Sequence, residues 1–162
     1  MAGGWRRVLA VGGMLCGLTL WPSAAAHAQV LTWAGPTIFP AVDAAPEQVR
    51  RALLEARREH KRVLLDFGGN WCIDCKLLNL YFHESPNAEL LKNYFVLVDV
   101  NIGNMDANLD IARRYGLSLT GVPVLVVLNG EGRVVYAQGK EFEDMAIVSP
   151  SAVTAFLNKW KP

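Results

Sequence analysis

One ten-residue stretch, residues 67–76, most constrains what this chain can fold into. It reads FGGNWCIDCK and places Cys72 and Cys75 two residues apart. The apolar run Val63–Leu65 before it predicts a buried strand, and Leu77–Phe82 after it predicts a helix. The first thiol would then lie at a helix N-terminus, where unpaired N–H groups and the macrodipole favour a thiolate. The second would lie within one helical turn, so the sequence predicts a reversible dithiol.

The first 28 residues predict a secretory signal peptide. Arg6 and Arg7 precede an apolar run, Val8–Trp21, which Thr19 alone interrupts, and Ala26-His27-Ala28 is a small-x-small cleavage site. We expect cleavage near residue 28 and a mature chain that works outside the cytoplasm, in the bacterial periplasm. A retained membrane anchor is the alternative. The apolar run has 14 residues, fewer than the roughly 20 that a membrane-spanning helix needs.

Cysteine content and charge narrow the function classes. The chain has three cysteines, too few for a disulfide-dense scaffold. Cleavage of the signal would remove Cys16 and leave one pair, in a compartment where disulfides persist. The formal net charge of +1 gives no reason to expect a nucleic-acid partner. We expect no cofactor.

Periodicity and capping patterns predict three regions: the signal at 1–28, an extended lead-in at 29–45, and one domain at 46–162. The lead-in could place Trp33 or Phe39 on the core. The predicted elements are a helix from Pro46 to about His60, strand Val63–Phe67, a helix from Cys72 to about Phe82, a helix at Asn87–Tyr94 opened by a Ser85-Pro86 cap, strand Phe95–Val100, helix Asn104–Arg114, strands Val122–Leu128 and Arg133–Ala137, and a helix after Ser149-Pro150. This order predicts an α/β fold with a mixed central sheet covered by helices on both faces. We expect the crossover strands to be parallel and the last hairpin antiparallel.

Three linked motifs carry a family resemblance. They are Asp66-Phe67, the Trp71-Cys72-x-x-Cys75-Lys76 core, and Thr120-Gly121-Val122-Pro123 before a strand. With these motifs the sequence resembles the thioredoxin superfamily over roughly residues 45–160. Its nearest subgroup is the exported thioredoxin-like proteins, including reducing domains of the bacterial periplasm. The resemblance implies a thioredoxin-like three-layer sandwich.

The resemblance also implies roles for the dithiol and a carboxylate. Cys72 would be the attacking thiolate and Cys75 the resolving thiol. Asp66 would be a buried carboxylate beneath the pair that takes and returns the proton of Cys75. Alternatively, Asp66 is a strand-end residue that caps a neighbouring backbone group.

Three further residues would form the substrate-binding surface. The backbone of Val122 would pair with the substrate chain, ahead of a cis peptide bond to Pro123. Trp71 would shape the contact surface beside the sulfurs. The alternatives are that Trp71 is a core residue and that Pro123 marks an edge strand or a strand start.

Two departures from the family pattern concern redox tuning. The spacer is Ile73-Asp74, and Asp74 would place a negative charge near the first sulfur. That charge would disfavour the thiolate and make the couple more reducing. Asp99 stands where thioredoxins usually carry a lysine, and a second carboxylate there would raise the proton affinity of the pair. The loop around Asn101–Asn108 is also lengthened, with no purpose evident from the sequence.

The sequence therefore favours thiol–disulfide exchange on protein substrates, as a reductant or electron carrier more than a strong oxidase. Such a reductant needs an electron source, and we expect a membrane-bound donor. One alternative is an inert structural disulfide, although so small a loop gains little chain entropy. Another is a non-catalytic module that binds a partner or a metal, with His60 or His83 beside the sulfurs. We predict no metal site.

Overall fold

The computed structural model describes residues 37–137, 142 and 144–162. The predicted signal peptide and the lead-in up to residue 36, including Trp33, lie outside the described residues. The three-region division therefore stays a prediction. Among the helices of the described ranges, none is long and apolar enough to cross a membrane.

A short 3-10 turn, five α-helices and four β-strands make up the part of the chain that the structure describes. After the turn at Val42–Ala44 they run α1 (Ala45–Glu59), β1 (Arg62–Gly68), α2 (Ile73–His83), α3 (Asn87–Tyr94), β2 (Phe95–Asn101), α4 (Leu109–Arg114), β3 (Val124–Leu128), β4 (Val134–Ala137) and α5 (Pro150–Trp160). The cap predicted for the last helix is confirmed, because the Ser149 hydroxyl accepts a hydrogen bond from the Ala152 N–H at 3.2 Å.

The four strands form one mixed sheet in the order β2-β1-β3-β4. Strand β2 is parallel to β1, whereas β3 is antiparallel to β1 and β4 to β3. The mixed sheet is confirmed, but the expectation that β3 is parallel was wrong. A parallel β3 would require the connection after β2 to return along the full length of the sheet. The six residues of helix α4 advance only about 9 Å, whereas a seven-residue strand spans about 23 Å. The chain leaves β2 at Asn101, opposite Gly68, and enters β3 at Val124, opposite Phe67, which is the same end of the sheet.

Apolar cores lie on both faces of the sheet, which confirms the predicted layers. One core joins α1 and α4 to the sheet, and the other joins α2, α3 and α5 to it. In β1, Val63, Leu65 and Phe67 face α1 and α4. Because successive side chains of a strand alternate between faces, Leu64 and Asp66 face α2. Asp66, an ionisable residue, therefore lies on a buried face of the central strand.

The helix predicted for Asn104–Arg114 forms only over its second half. Met105 and Asn108 have positive φ angles of 67° and 54°, in the left-handed region that an α-helix cannot include. The side chain of Asn108 donates to the carbonyl of Asn101 at 2.7 Å, which links the two ends of this loop. The end of the helix agrees with the prediction, since Gly116 has a φ of 82°.

The cap predicted at Ser85-Pro86 was also wrong. Pro86 occupies the N-cap position of α3, and no side chain caps that helix. Asn87, the first helical residue, fixes this corner instead, because it is buried and uses its whole amide. It donates to the carbonyls of Tyr81 and Pro150 at 2.9 and 3.2 Å and accepts from the Thr154 hydroxyl at 2.6 Å. Asn87 thereby joins α3 to α2 and α5.

Candidate active site

Cys72 and Cys75 form a disulfide at the first turn of α2. Cys72 is the N-cap residue, and its sulfur accepts a hydrogen bond from the Cys75 backbone N–H at 3.0 Å. This is the helix-start position that the sequence predicted. The exposed fraction is 6% for Cys72 and 0% for Cys75. Of the two sulfurs, therefore, the N-cap sulfur is the one that an outside group can reach.

The loop before β3 lies against the accessible sulfur. The carbonyl oxygen of Val122 is 3.9 Å from Cys72 Sγ, and the peptide bond between Val122 and Pro123 is cis, as the resemblance implied. Pro123 is buried directly before β3. The arrangement leaves backbone polar groups of residue 122 beside the disulfide.

Two exposed apolar side chains adjoin Cys72 in the chain. Trp71 is 52% exposed and Ile73 is 76% exposed, so neither is a core residue. The indole Nε1 of Trp71 donates to the Gly103 carbonyl at 2.6 Å, which fixes the ring against the lengthened loop. Asp74 lies half-buried in the first turn of α2, as predicted.

Gly68 and Gly69 permit two close approaches that the sequence reasoning missed. A Cβ built on Gly68 would lie 2.8 Å from Cys75 Sγ and 2.5 Å from Cζ of Phe39. A Cβ on Gly69 would lie 2.6 Å from the Trp71 Nε1. Real Cβ atoms do not approach so closely. Gly68 faces two fully buried groups and so needs glycine, whereas a side chain at residue 69 would displace the half-exposed Trp71 ring. The Gly-Gly pair at the end of a predicted strand was the available signal.

Asp66 lies on the α2 side of β1, two residues before Gly68 and so on the same face of the strand. Its exposed fraction is 0%, and neither carboxyl oxygen has a hydrogen-bond partner among the described residues. Burial raises the pKa of Asp66 well above its usual range, and the negative charge of Asp99 raises it further. A carboxyl group in this environment holds its proton to unusually high pH.

Asp99 is the direct partner of Asp66 in the parallel β1–β2 register. In-register residues of parallel strands point to the same face, so the two carboxyl groups are neighbours. Strand β2 is the edge of the sheet, and Asp99 is half-buried there. Burial raises the pKa of Asp99 to about 6, although the nearby His83 opposes this shift. The two groups form a carboxyl pair whose protonation is shared.

The lead-in covers the inner side of the disulfide. Phe39 has an exposed fraction of 0% and packs with both cysteines. Asn70 holds it there: Oδ1 accepts from the backbone N–H groups of Ile38 and Phe39 at 2.8 and 3.0 Å, and Nδ2 donates to the Phe39 carbonyl at 2.8 Å. The sequence suggested Phe39 as a core residue but not Asn70, whose amide directly before Trp71-Cys72 was the available signal.

The described residues offer little to a metal ion. They contain no group of three or more His, Cys, Asp or Glu side chains placed to bind one. His83 lies at the far end of α2, where its Nδ1 hydrogen-bonds with the Asn79 carbonyl at 2.8 Å. His60 is the C-cap residue of α1. Neither histidine joins the cysteines in such a cluster.

A dithiol at a helix start, a cis proline beside it and a buried carboxyl in the adjacent strand define a class. It is the thioredoxin-superfamily thiol–disulfide oxidoreductases. The sequence matches the thioredoxin-like family over residues 44–130, more than half of the chain. The chain therefore belongs to the thioredoxin-like family.

Individual relatives agree with this assignment. The structure of a disulphide isomerase from Xylella fastidiosa Temecula1 is 33% identical, with a TM-score of 0.72 over 76% of this chain and 96% of that one. The thiol:disulfide interchange protein DsbD of Shigella boydii is 30% identical over 137 residues, 80% of this chain but 23% of its own length. The chain thus spans about a quarter of the length of the curated relatives that it matches. A Thermus thermophilus thioredoxin, 20% identical with a TM-score of 0.52 over 68% of this chain and 81% of that one, shares the fold.

Proposed function

We propose that this oxidoreductase reduces disulfides of protein substrates outside the cytoplasm, as a reductant or electron carrier. The observation that carries the proposal is the unequal placement of the two sulfurs. Cys72 is accessible at the helix start, whereas Cys75 is buried on the face that also carries Asp66. One sulfur can meet a substrate, and the other can finish the reaction without meeting solvent.

The first step is attack by the Cys72 thiolate on a substrate disulfide. A bond forms between Cys72 Sγ and one substrate sulfur, the substrate disulfide breaks, and the second substrate sulfur leaves as a thiolate. The Cys75 N–H at 3.0 Å from Cys72 Sγ and the start of α2 both favour negative charge on Cys72. The product is a mixed disulfide between the protein and its substrate.

The second step resolves that mixed disulfide. Cys75 gives its proton to the ionised form of Asp66, and its thiolate attacks Cys72 Sγ. The Cys72–Cys75 bond forms and the substrate sulfur leaves reduced. Because the pKa of Asp66 is raised, it lies closer to the pKa of a thiol, and proton transfer from Cys75 to Asp66 becomes easier. Asp99 beside it would share the proton and so change the proton affinity of Asp66.

Substrate binding in this proposal uses the surface around Cys72. The backbone of Val122 pairs with the substrate chain, and Pro123 holds the loop that presents it. The exposed Trp71 and Ile73 supply apolar contact area beside the sulfur. These features suit an extended protein segment that carries a disulfide.

The direction of electron flow rests on Asp74. A negative charge in the first turn of α2 opposes the Cys72 thiolate and so favours the disulfide form, which makes the reduced protein a better donor. A reductant outside the cytoplasm must be recharged, and we propose a membrane-bound electron donor. Export rests on the pattern of residues 1–28.

Cysteine variants test the roles of the two sulfurs. We expect Cys72→Ser to abolish disulfide reduction, because the attacking group is lost. Cys75→Ser should instead accumulate mixed disulfides, because attack continues without resolution. Non-reducing gels and intact mass of variants incubated with a disulfide-bonded protein measure both outcomes. Equal trapping by the two variants, or none by either, would refute the assignment.

A further inference from the structure

Three asparagines hold residues 38–42 of the lead-in in place next to the disulfide. Asn70 holds Ile38 and Phe39, as described above. Asn101 Nδ2 donates to the Pro40 carbonyl at 2.6 Å, and Asn108 Nδ2 donates to the Val42 carbonyl at 2.7 Å. Asn101 and Asn108 are the two ends of the lengthened loop. The structure therefore gives that loop a role in holding the segment that precedes α1.

The result of this fastening is a phenyl ring against the inner sulfur. The space above Gly68 is filled by two groups, the Phe39 ring and Cys75 Sγ, both within 3 Å of where a Cβ would stand. Phe39 and Cys75 each have an exposed fraction of 0%. Cys72 belongs to the same cluster but keeps part of its surface free.

We propose that Phe39, held by Asn70, is a positioning residue that determines which sulfur of the disulfide is attacked. An incoming thiolate that reaches Cys72 Sγ forms a bond there, breaks the disulfide and releases Cys75 as the leaving sulfur. Attack at Cys75 would release Cys72 instead and leave an adduct on the buried side. Phe39 covers the surface of Cys75 that such an attack needs, so the exchange runs through Cys72.

The same cover by Phe39 excludes water from the proton transfer between Cys75 and Asp66. With the packing seen around the disulfide kept in the reduced protein, Phe39 covers the Cys75 thiol on the face that carries Asp66. A thiol shielded from water stays neutral to higher pH, so it loses its proton to the nearby carboxylate and not to solvent. This consequence deepens the proposed function and rests on it. The cover over Cys75 itself does not depend on turnover.

Alkylation of single-cysteine proteins tests the cover directly. In a Cys16→Ser, Cys72→Ser background, the rate of iodoacetamide labelling reports the exposure of Cys75, because a buried thiol reacts through its open states. We expect Phe39→Ala and Asn70→Ala to raise that rate roughly tenfold or more. Phe39→Leu should keep most of the protection, because an apolar side chain still fills the space. Asn158→Ala is the matched control, since its exposed amide donates to the Thr154 carbonyl and accepts from Lys161 Nζ, both in or directly after α5.

A parallel series in a Cys16→Ser, Cys75→Ser background gives the contrast. Labelling of Cys72 should change less than about twofold in every variant, since Phe39 leaves its outer surface free. Circular dichroism melting identifies variants that fail to fold. If Phe39→Ala fails to fold, the labelling rates of Cys75 in Asn70→Ala and Phe39→Leu still test the proposal.

An unchanged Cys75 rate in folded Phe39→Ala or Asn70→Ala would overturn the proposal. Equal acceleration of Cys72 and Cys75, or acceleration by Asn158→Ala, would also overturn it, because either result indicates general loosening. Failure of the proposed function is a separate outcome. It would show as wild-type protein that reduces no disulfide while Cys75 protection still depends on Phe39.

Discussion

At the scale of single residues, Asp66 departs most from what burial allows. An ionised carboxyl group without hydrogen-bond partners is costly in an apolar interior, so the group keeps its proton instead. A purely structural strand would be better served by an apolar residue at this position. The position makes chemical sense if Asp66 exchanges a proton with Cys75, which lies on the same face of β1.

Asp66→Asn tests that role. The amide keeps the size of the side chain but cannot accept the proton, so we expect an intact fold and slower resolution of the mixed disulfide. General-base assistance is typically worth about 10²–10⁴-fold, so the slowing should be evident near neutral pH. It should shrink at high pH, where Cys75 loses its proton unaided. Stopped-flow measurement of substrate release across pH 6–10 gives the profile.

Asp110→Asn is the matched control, because Asp110 is an exposed acid in the first turn of α4. That variant should resolve mixed disulfides at the wild-type rate throughout. Wild-type resolution by Asp66→Asn at every pH would make Asp66 structural. Asp99, its neighbour across the strands, would then be the carboxylate to replace.

At the scale of elements, helix α3 depends on one buried amide. Asn87→Ala would remove the hydrogen bonds to the Tyr81 and Pro150 carbonyls and from the Thr154 hydroxyl. We expect the free energy of unfolding to fall by about 2–3 kcal/mol, since three hydrogen bonds are lost and each contributes about 1 kcal/mol net. Urea unfolding with an unchanged m-value would measure this loss.

Asn158→Ala again serves as the control for that measurement. It removes two exposed hydrogen bonds, one to the Thr154 carbonyl and one from Lys161 Nζ, and should cost less than about 0.5 kcal/mol. A loss of similar size in both variants would mean that the contacts of Asn87 do not hold the corner together.

Elements with a strong local pattern were predictable, and elements set by distant partners were not. Strand β1 and helix α5 follow from an apolar run and a Ser-Pro start, both visible within a few residues. The side chain of Asn108, at the left-handed turn, donates a hydrogen bond to the Val42 carbonyl, 66 residues earlier in the chain. Asn70 likewise serves residues more than 30 positions earlier. No local pattern carries such pairings, so the cover over the dithiol became visible only in the fold.

At the scale of the whole molecule, the carboxyl pair makes stability depend on pH. The folded pKa of Asp66 and that of Asp99 both lie above the unfolded value of about 3.9. The native state therefore binds more protons than the unfolded chain above that value, and stability falls as pH rises. For Asp99 the loss runs through about pH 6, and for Asp66 it likewise lies well above the usual range of an aspartate.

We expect the free energy of unfolding of the oxidised wild-type protein to decrease between pH 4.5 and 8. Asp66→Asn should give a flatter curve and greater stability at pH 8, because it removes one buried ionisable group and lowers the proton affinity of Asp99. Urea unfolding at each pH measures both curves. Parallel curves for the two proteins would show that Asp66 titrates alike in the folded and unfolded chain.

The central claim is that Cys72 and Cys75 cycle as a reducing dithiol, and their equilibrium reduction potential tests it most directly. The fraction of disulfide is measured by alkylation and mass after equilibration in glutathione or dithiothreitol buffers of known potential. The negative charge of Asp74 near the start of α2 predicts a value at or below about −200 mV, in the range of disulfide reductants. A value near −120 mV, typical of strong oxidants, would contradict the account.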